Sequence, residues 1–215
     1  MKSYQHIFFD WDGCLAKTLE MWFGAIESSL IDYNIPHSGR DVSRLMNDLY
    51  HGALDLGVKP ENYVKFKDDV YVRAESNIDE VYLYEGASTL LRNLKSKGKT
   101  LALISSGSKP SLERMLDHTG TKAYFDLIIS GSDVQKRKPN PEGIDTALAK
   151  LGAEKADSIM VGDSEHDLDA ARNAGIDSVL FYPDTHTSFY DLDRLRKSNP
   201  TYTIRRFDEL SQILE

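Results

Sequence analysis

Residues 158–175 read SIMVGDSEHDLDAARNAG. The first five are apolar without polar alternation, the pattern of a strand buried on both faces. The chain then turns through Gly162, Asp163 and Ser164. Residues 166–174 carry a helical pattern, and Gly175 stands where a helix is closed by a residue tolerant of left-handed backbone. Strand, acidic turn and helix thus follow within eighteen residues.

The same unit recurs in both directions. Upstream, TLALIS (100–105) precedes a helix at about 109–118, and DLIIS (126–130) precedes one at about 141–151. An amphipathic helix at 87–97, ended by Gly98, leads into this run. Downstream come SVLFY (178–182) and a last strand–helix pair in TYTIRRFDELSQIL. HIFFD (6–10) is one more short buried strand, far from the others in sequence. Strands alternating with helices imply right-handed crossovers and a parallel sheet covered on both faces, an α/β fold.

Residues 16–83 break the alternation. Leu19, Trp22, Phe23 and Ile26 recur at helical spacing, as do Leu45 and Leu49, then Val64, Val70 and Tyr71. Pro36, Gly39, Gly57 and Pro60 divide the stretch into three or four helices. The expected organisation is a core of residues 1–15 and 84–215, with an all-helical insert at 16–83.

Composition narrows the function. The 215 residues carry 26 Lys plus Arg against 34 Asp plus Glu, a net charge of −8, and the insert is itself acidic, with 7 basic and 12 acidic side chains. A nucleic-acid partner, which calls for a basic surplus, is not expected. One cysteine excludes an internal disulfide and a Cys-rich zinc site. The opening MKSYQHIFFDWDG has too short an apolar run for a signal peptide, and no later run nears the roughly 18 residues of a membrane span. A soluble, cytoplasmic chain without a membrane partner is expected, as monomer or homodimer.

Ligands of open α/β sheets bind beyond the carboxyl ends of the strands. Asp10 and Asp12 follow the first strand, Ser105, Ser106 and Gly107 the second, and Asp163 and Asp167 the fourth; Lys138 precedes the helix at 141. Asp10 and Asp12, two residues apart, would aim to one side. Carboxylates that close repel unless a cation intervenes or one is protonated. With Asp163 they form an oxygen-only set suited to Mg²⁺, which keeps waters and takes substrate phosphate. Lys138 would hold a phosphate oxygen as a point charge. The Ser105 hydroxyl and the backbone N–H groups through Gly107 would hold another, with Ser106 in that role if the strand ends one residue later. Phosphoryl transfer is the chemistry these parts suit.

In order and spacing, DWDGCL, LALISSG, RKPNPEG and VGDSEHDLDAARNAG resemble the four motifs of the haloacid dehalogenase superfamily, nearest to its phosphoglycolate-phosphatase-like group with a helical cap after the first motif. The resemblance covers residues 6–15 and 84–182. It implies a Rossmann-like core with a mobile cap at 16–83, and Mg²⁺-dependent hydrolysis of a small phosphorylated metabolite. By position, Asp10 would be the nucleophile that forms an aspartyl-phosphate, and Asp12 the acid and then the base. Mg²⁺ would lie on the Asp10 carboxylate, the Asp12 main-chain carbonyl and Asp163, with Asp167 supporting from outside. Ser105 and Lys138 would stabilise the transferring group. Asp12 favours phosphate esters, since the dehalogenases and phosphonatases lack an acid there.

Lys17 and Arg44 are candidate cap contacts to substrate, with Arg40, Asn47 and His51 nearby in sequence. Lys17 and Cys14 depart from the family pattern, which commonly has an acid and Thr or Val there. Cys14 is read as a packing residue, Trp22 and Phe23 as cap core, Lys136 and Arg137 as surface and His166 as exposed. The competing readings are a sugar phosphomutase of the same family and a non-catalytic member that binds a phosphometabolite.

Overall fold

The computed structural model describes residues 2–214. The strands are β1 (His6–Phe9), β2 (Thr100–Ile104), β3 (Leu127–Ile129), β4 (Ser158–Gly162), β5 (Asp177–Phe181) and β6 (Tyr202–Ile204). They form one parallel sheet in the order β3-β2-β1-β4-β5-β6. The order reverses at β1, so the crevice at the carboxyl ends of β1 and β4 is the switch point where such sheets bind ligands.

The helices are α1 (Leu19–Asp32), α2 (Gly39–Asn47), α3 (Leu49–Leu56), α4 (Tyr63–Ser76), α5 (Ala87–Ser96), α6 (Lys109–Thr119), α7 (Glu142–Leu151), α8 (Glu165–Ala174), α9 (Leu192–Arg196) and α10 (Phe207–Ile213). Successive strand side chains point to opposite faces. Phe8, Ala102, Ile104 and Met160 therefore pack together with Ile144, Ala147 and Leu148 of α7 and Ala170, Ala171 and Ala174 of α8. Their neighbours Ile7, Phe9, Leu101, Leu103, Ile159 and Val161 are also buried, which is why the central strands β1, β2 and β4 show no polar alternation. Truncating one such side chain, as in Phe8→Ala, costs about 3–5 kcal/mol.

The chain divides into two compact units, Met1–Lys17 with Tyr82–Glu215, and Thr18–Val81. The first carries the sheet. Where the chain leaves and re-enters it, Lys17 N donates to Tyr82 O at 2.8 Å and Tyr84 N to Leu15 O at 3.0 Å. The second holds α1–α4 around Ala25, Ile26, Leu30, Val42, Leu45, Phe66 and Val70. Trp22 and Phe23 lean on that core. Val64 corrects the expected apolar stripe, being 63% exposed. The buried face of α4 is Phe66, Val70 and Ala74, spaced by four, and Val64 falls off that line. No helix among the described residues is long and apolar enough to cross a membrane.

Candidate active site

Register brings the acids together. Phe9 pairs with Val161 across β1 and β4, and Asp10 N donates to Val161 O at 2.9 Å. Asp10 and Asp163 thus leave adjacent strands at the same level. Gly13, at φ +75°, lets the chain turn back at once behind Asp12. Cys14 is fully buried beside this turn, as a packing residue, with Sγ 3.5 Å from Val161 O.

Lys138 Nζ reaches both Asp10 Oδ1 and Asp167 Oδ1 at 2.6 Å. The three side chains are 6%, 9% and 0% exposed. The lysine's backbone is held in turn, since Lys138 O lies 3.2 Å from His166 Nδ1 and Asn173 Nδ2 donates to Pro139 O at 3.0 Å. His166 is therefore half-buried against this loop and not exposed, a correction to the sequence reading. Asp167 Oδ2 accepts from Ser164 N at 3.1 Å and Ser164 Oγ at 2.6 Å, a capping box at the start of α8. The backbone of β4 presses on it, for a Cβ on Gly162 would stand 2.3 Å from Asp167 Cβ.

Asp10, Asp163 and Asp167 offer carboxylate oxygens within 4.8 Å of one another, all buried. Burial first, then the charge of Asp167, pushes the Asp10 carboxyl up to about 7 against the pull of Lys138. Burial and the charges of Asp167 and Asp10 hold Asp163 well above the usual range as well. Asp167 goes the other way: burial opposes its charge, but Lys138 and Ser164 outweigh it and hold the carboxyl low. Burial also opposes the Lys138 charge, and the two aspartates overcome it, so the ammonium stays protonated. With all three carboxylates ionised, one ammonium leaves two negative charges, the complement of a divalent cation. Asp163 Oδ2 is buried without a hydrogen-bond partner among the described residues. An orphaned buried carboxylate oxygen is costly, and a hard cation with oxygen ligands fits the set.

The second strand end supplies the other wall. Ser105, nearly fully buried, has its N on Ile129 O at 2.9 Å, and its Oγ accepts from Gly107 N at 3.0 Å. A Cβ at Gly107 would stand 3.2 Å from Ser105 Oγ and 3.7 Å from Asp12 Oδ2, so the glycine keeps the space between hydroxyl and carboxylate open. Asp12 is half-buried here and its charge acts on Asp10. Ser106 is half-buried, and its carbonyl is what a Cβ at Gly131 would strike, at 2.4 Å. Asp10, Asp12, Ser105, Gly107, Lys138, Asp163 and Asp167 are gathered in one crevice. Lys136 and Arg137 are exposed, as read.

The candidate cap contacts have local partners. Lys17 Nζ lies 5.5 Å from the Tyr84 ring centroid. Arg44 pairs with Asp55, Asn47 Nδ2 donates to Ser43 O at 3.2 Å, and His51 Nδ1 lies 2.8 Å from Asp48 Oδ2. Sequence reasoning missed Tyr190, whose phenol is pushed up by burial and by the charge of neighbouring Asp163, and buried His186, whose Nε2 lies 2.7 Å from Tyr84 Oη. Neither lies in a motif or a periodic pattern. The Ser164–Asp167 spacing, by contrast, was a readable capping signal.

Comparison with known proteins places this geometry. Residues 7–181 match the family model described as haloacid dehalogenase-like hydrolase. Pyrophosphatase PpaX of Halalkalibacterium halodurans is 31% identical over 213 residues, covering 97% of this chain and 95% of that protein. Phosphoglycolate phosphatase of Aquifex aeolicus is 26% identical, covering 97% of this chain and 96% of its own. A haloacid dehalogenase-like hydrolase from Streptococcus pneumoniae has the same fold, with a TM-score of 0.85, 19% identity and 100% coverage of both chains.

Proposed function

The chain belongs to the haloacid dehalogenase-like hydrolase family, and on that premise we propose that it is a Mg²⁺-dependent phosphohydrolase of small phosphorylated metabolites, working through an aspartyl-phosphate on Asp10. The observation that carries this reading is the cluster of three buried carboxylates, two of them paired with one buried ammonium. The relatives named pyrophosphatase and phosphoglycolate phosphatase support the substrate class.

Mg²⁺ would be held by the Asp10 and Asp163 carboxylates and the Asp12 main-chain carbonyl, and would offset charge on the phosphoryl oxygens. Asp167, its oxygens already engaged by Lys138 and Ser164, keeps Lys138 in place. A carboxylate oxygen of Asp10 attacks phosphorus as the ester P–O bond breaks, and the Asp12 carboxyl gives its proton to the leaving oxygen. Asp12, now a carboxylate, takes a proton from water. That water attacks phosphorus, the bond to Asp10 breaks, and inorganic phosphate leaves. Lys138, the Ser105 hydroxyl and the Ser106 N–H hold the non-bridging oxygens, with Gly107 N–H orienting the hydroxyl, each such donor being worth about 10²–10³ in rate. Substrate choice is assigned to the helical unit, as a cap.

A panel of phosphate esters, assayed for free phosphate with and without EDTA, tests this. Mg²⁺-dependent release is expected, and Asp10→Asn should lose all of it while keeping its fold. Substantial activity in Asp10→Asn would refute the covalent route. Conversion of a sugar phosphate to its isomer without phosphate release would make the chain a mutase.

A further inference from the structure

The Lys138 ammonium is already matched by Asp10 and Asp167, so little of its charge is left for a second anion on a substrate. The residue before it carries another positive charge. Arg137 Nε donates to Gly131 O at 3.4 Å, and among the described residues its guanidinium has no carboxylate partner. In the same chain Arg44, Arg73, Arg194, Arg205 and Arg206 each pair with an acid. We propose that Arg137 is a specificity-determining residue: its guanidinium receives a second anionic group, carboxylate or phosphate, on a substrate whose phosphoryl group lies on Ser105, Ser106 and Lys138. The inference rests on the phosphohydrolase reading above and names its substrate class, short phosphate compounds that carry a second anion.

The loops after β2 and β3 abut where Arg137 lies. Gly131 N donates to Gly107 O at 2.8 Å, and a Cβ on Gly131 would stand 2.4 Å from Ser106 O and 2.8 Å from Arg137 Nε. The guanidinium is therefore packed beside the 106–107 peptide, next to the Ser106 N–H assigned to the phosphoryl oxygens. Lys138, the following residue, reaches Asp10 from the same loop. That loop is fixed on both sides of Arg137. Gln135 N and Lys136 N donate to the Glu142 carboxylate at 2.8 and 2.9 Å, and Asn140 N donates to Arg137 O at 3.0 Å. With Nε turned to the Gly131 carbonyl, the two Nη atoms remain as a planar pair of donors, the shape that takes two oxygens of a carboxylate or phosphate. The side chain is exposed, so a substrate tail can meet it without displacing protein.

Two pairs of probes test this, each set with Mg²⁺: 2-phosphoglycolate with 2-hydroxyethyl phosphate, and pyrophosphate with methyl phosphate. Arg137→Met should lower kcat/KM about 10–100-fold for the member of a pair that bears the second anion, through KM, and leave its partner unchanged. Loss in the first pair alone assigns the second group as carboxylate, and loss in the second alone as phosphate. Arg137→Lys, which keeps the charge but not the planar fork, should fall between wild type and Arg137→Met. Lys136→Met removes the neighbouring exposed charge and should change neither pair. Equal losses for both members of each pair would make Arg137 a support of the loop, and equal losses in Lys136→Met would make the effect one of general charge; either result overturns the proposal. Calorimetric binding of the same four compounds to Asp10→Asn, with and without Arg137→Met, repeats the comparison without turnover. An Arg137-dependent binding preference in a chain that hydrolyses none of the four removes the phosphohydrolase reading and leaves the role of Arg137 standing. Hydrolysis that Arg137→Met leaves untouched for every probe removes the role of Arg137 alone.

Discussion

Replacing Lys138 by Met keeps most of the side-chain volume and deletes the ammonium that lies 2.6 Å from both Asp10 and Asp167. All three side chains are under a tenth exposed, so water cannot take over the lost contacts. Breaking a buried pair by removing one partner costs about 3–5 kcal/mol. For a chain of this size each kcal/mol lowers Tm by about 2–4 °C, which predicts a fall of about 6–20 °C. The cost must also depend on pH, and its sign is fixed. Burial and Asp167 already raise Asp10 from 3.8 to about 7, and Lys138 is the group pulling it down. Without that pull Asp10 and Asp163 titrate higher still. The folded variant then holds protons that the unfolded chain has released, so its stability falls as pH rises, by about 1.4 kcal/mol per pH unit for each such proton. Urea unfolding in EDTA at acid and alkaline pH should show a deficit that is largest at alkaline pH and shrinks on acidification. A variant as stable as wild type at alkaline pH, or a deficit that grows toward acid, would refute the electrostatic account.

The remaining expectations follow from the same geometry. Mg²⁺ should raise the wild-type Tm most at alkaline pH and least near pH 5, because the Asp10 carboxyl, raised to about 7, is protonated in acid and offers the cation no charge; differential scanning fluorimetry across pH checks this. Gly162→Ala puts a Cβ 2.3 Å from Asp167 Cβ in an extended strand, and overpacking of that kind costs about 1–3 kcal/mol. Since Asp167 must move, phosphate release should fall with stability, whereas a variant with full activity and wild-type Tm would contradict the packing described. Burial lowers His186 from 6.5 to about 3, so in acid the unfolded chain takes the proton first and stability drains away as pH falls through that window. His186→Gln, which keeps an acceptor for Tyr84, should lose less stability than wild type between neutral pH and pH 4 in urea unfolding.

Asp10, Ser105 and Asp163 could be placed from sequence because each closes an apolar strand, and a parallel sheet sends all strand ends to one rim. Residues 183–200 could not. YPDTHTSFYDLDRLRKSNP has no apolar period, and its only α-helix, α9, is five residues long, too short to leave a pattern. Tyr190 and His186 reach the site because the chain crosses from β5 to β6 past the crevice, a path that local spacing does not encode. His166 misled for the opposite reason. It sits among charged residues in sequence, EHD, yet the Lys138 carbonyl beside its ring half-buries it.

The ionisation states were beyond the sequence as well, and they decide what the crevice can do. Four aspartates at strand ends are equivalent as letters. The structure separates them by partners: Asp167 takes hydrogen bonds from Lys138 and Ser164 and stays ionised, and its charge helps to raise Asp10 and Asp163. An acid at position 167 therefore does more than support a lysine. By remaining negative where Asp10 and Asp163 are penalised, it makes the pair costly to ionise without a cation and ready to ionise with one. Asp167→Asn would remove that pressure. The Asp10 carboxyl should then fall toward its ordinary range, and the Mg²⁺-dependent gain in Tm should reach its plateau at lower pH than in the wild type. A plateau at unchanged pH would mean that burial alone, the larger cause of the shift, sets the Asp10 value and that the charge of Asp167 has no part in it.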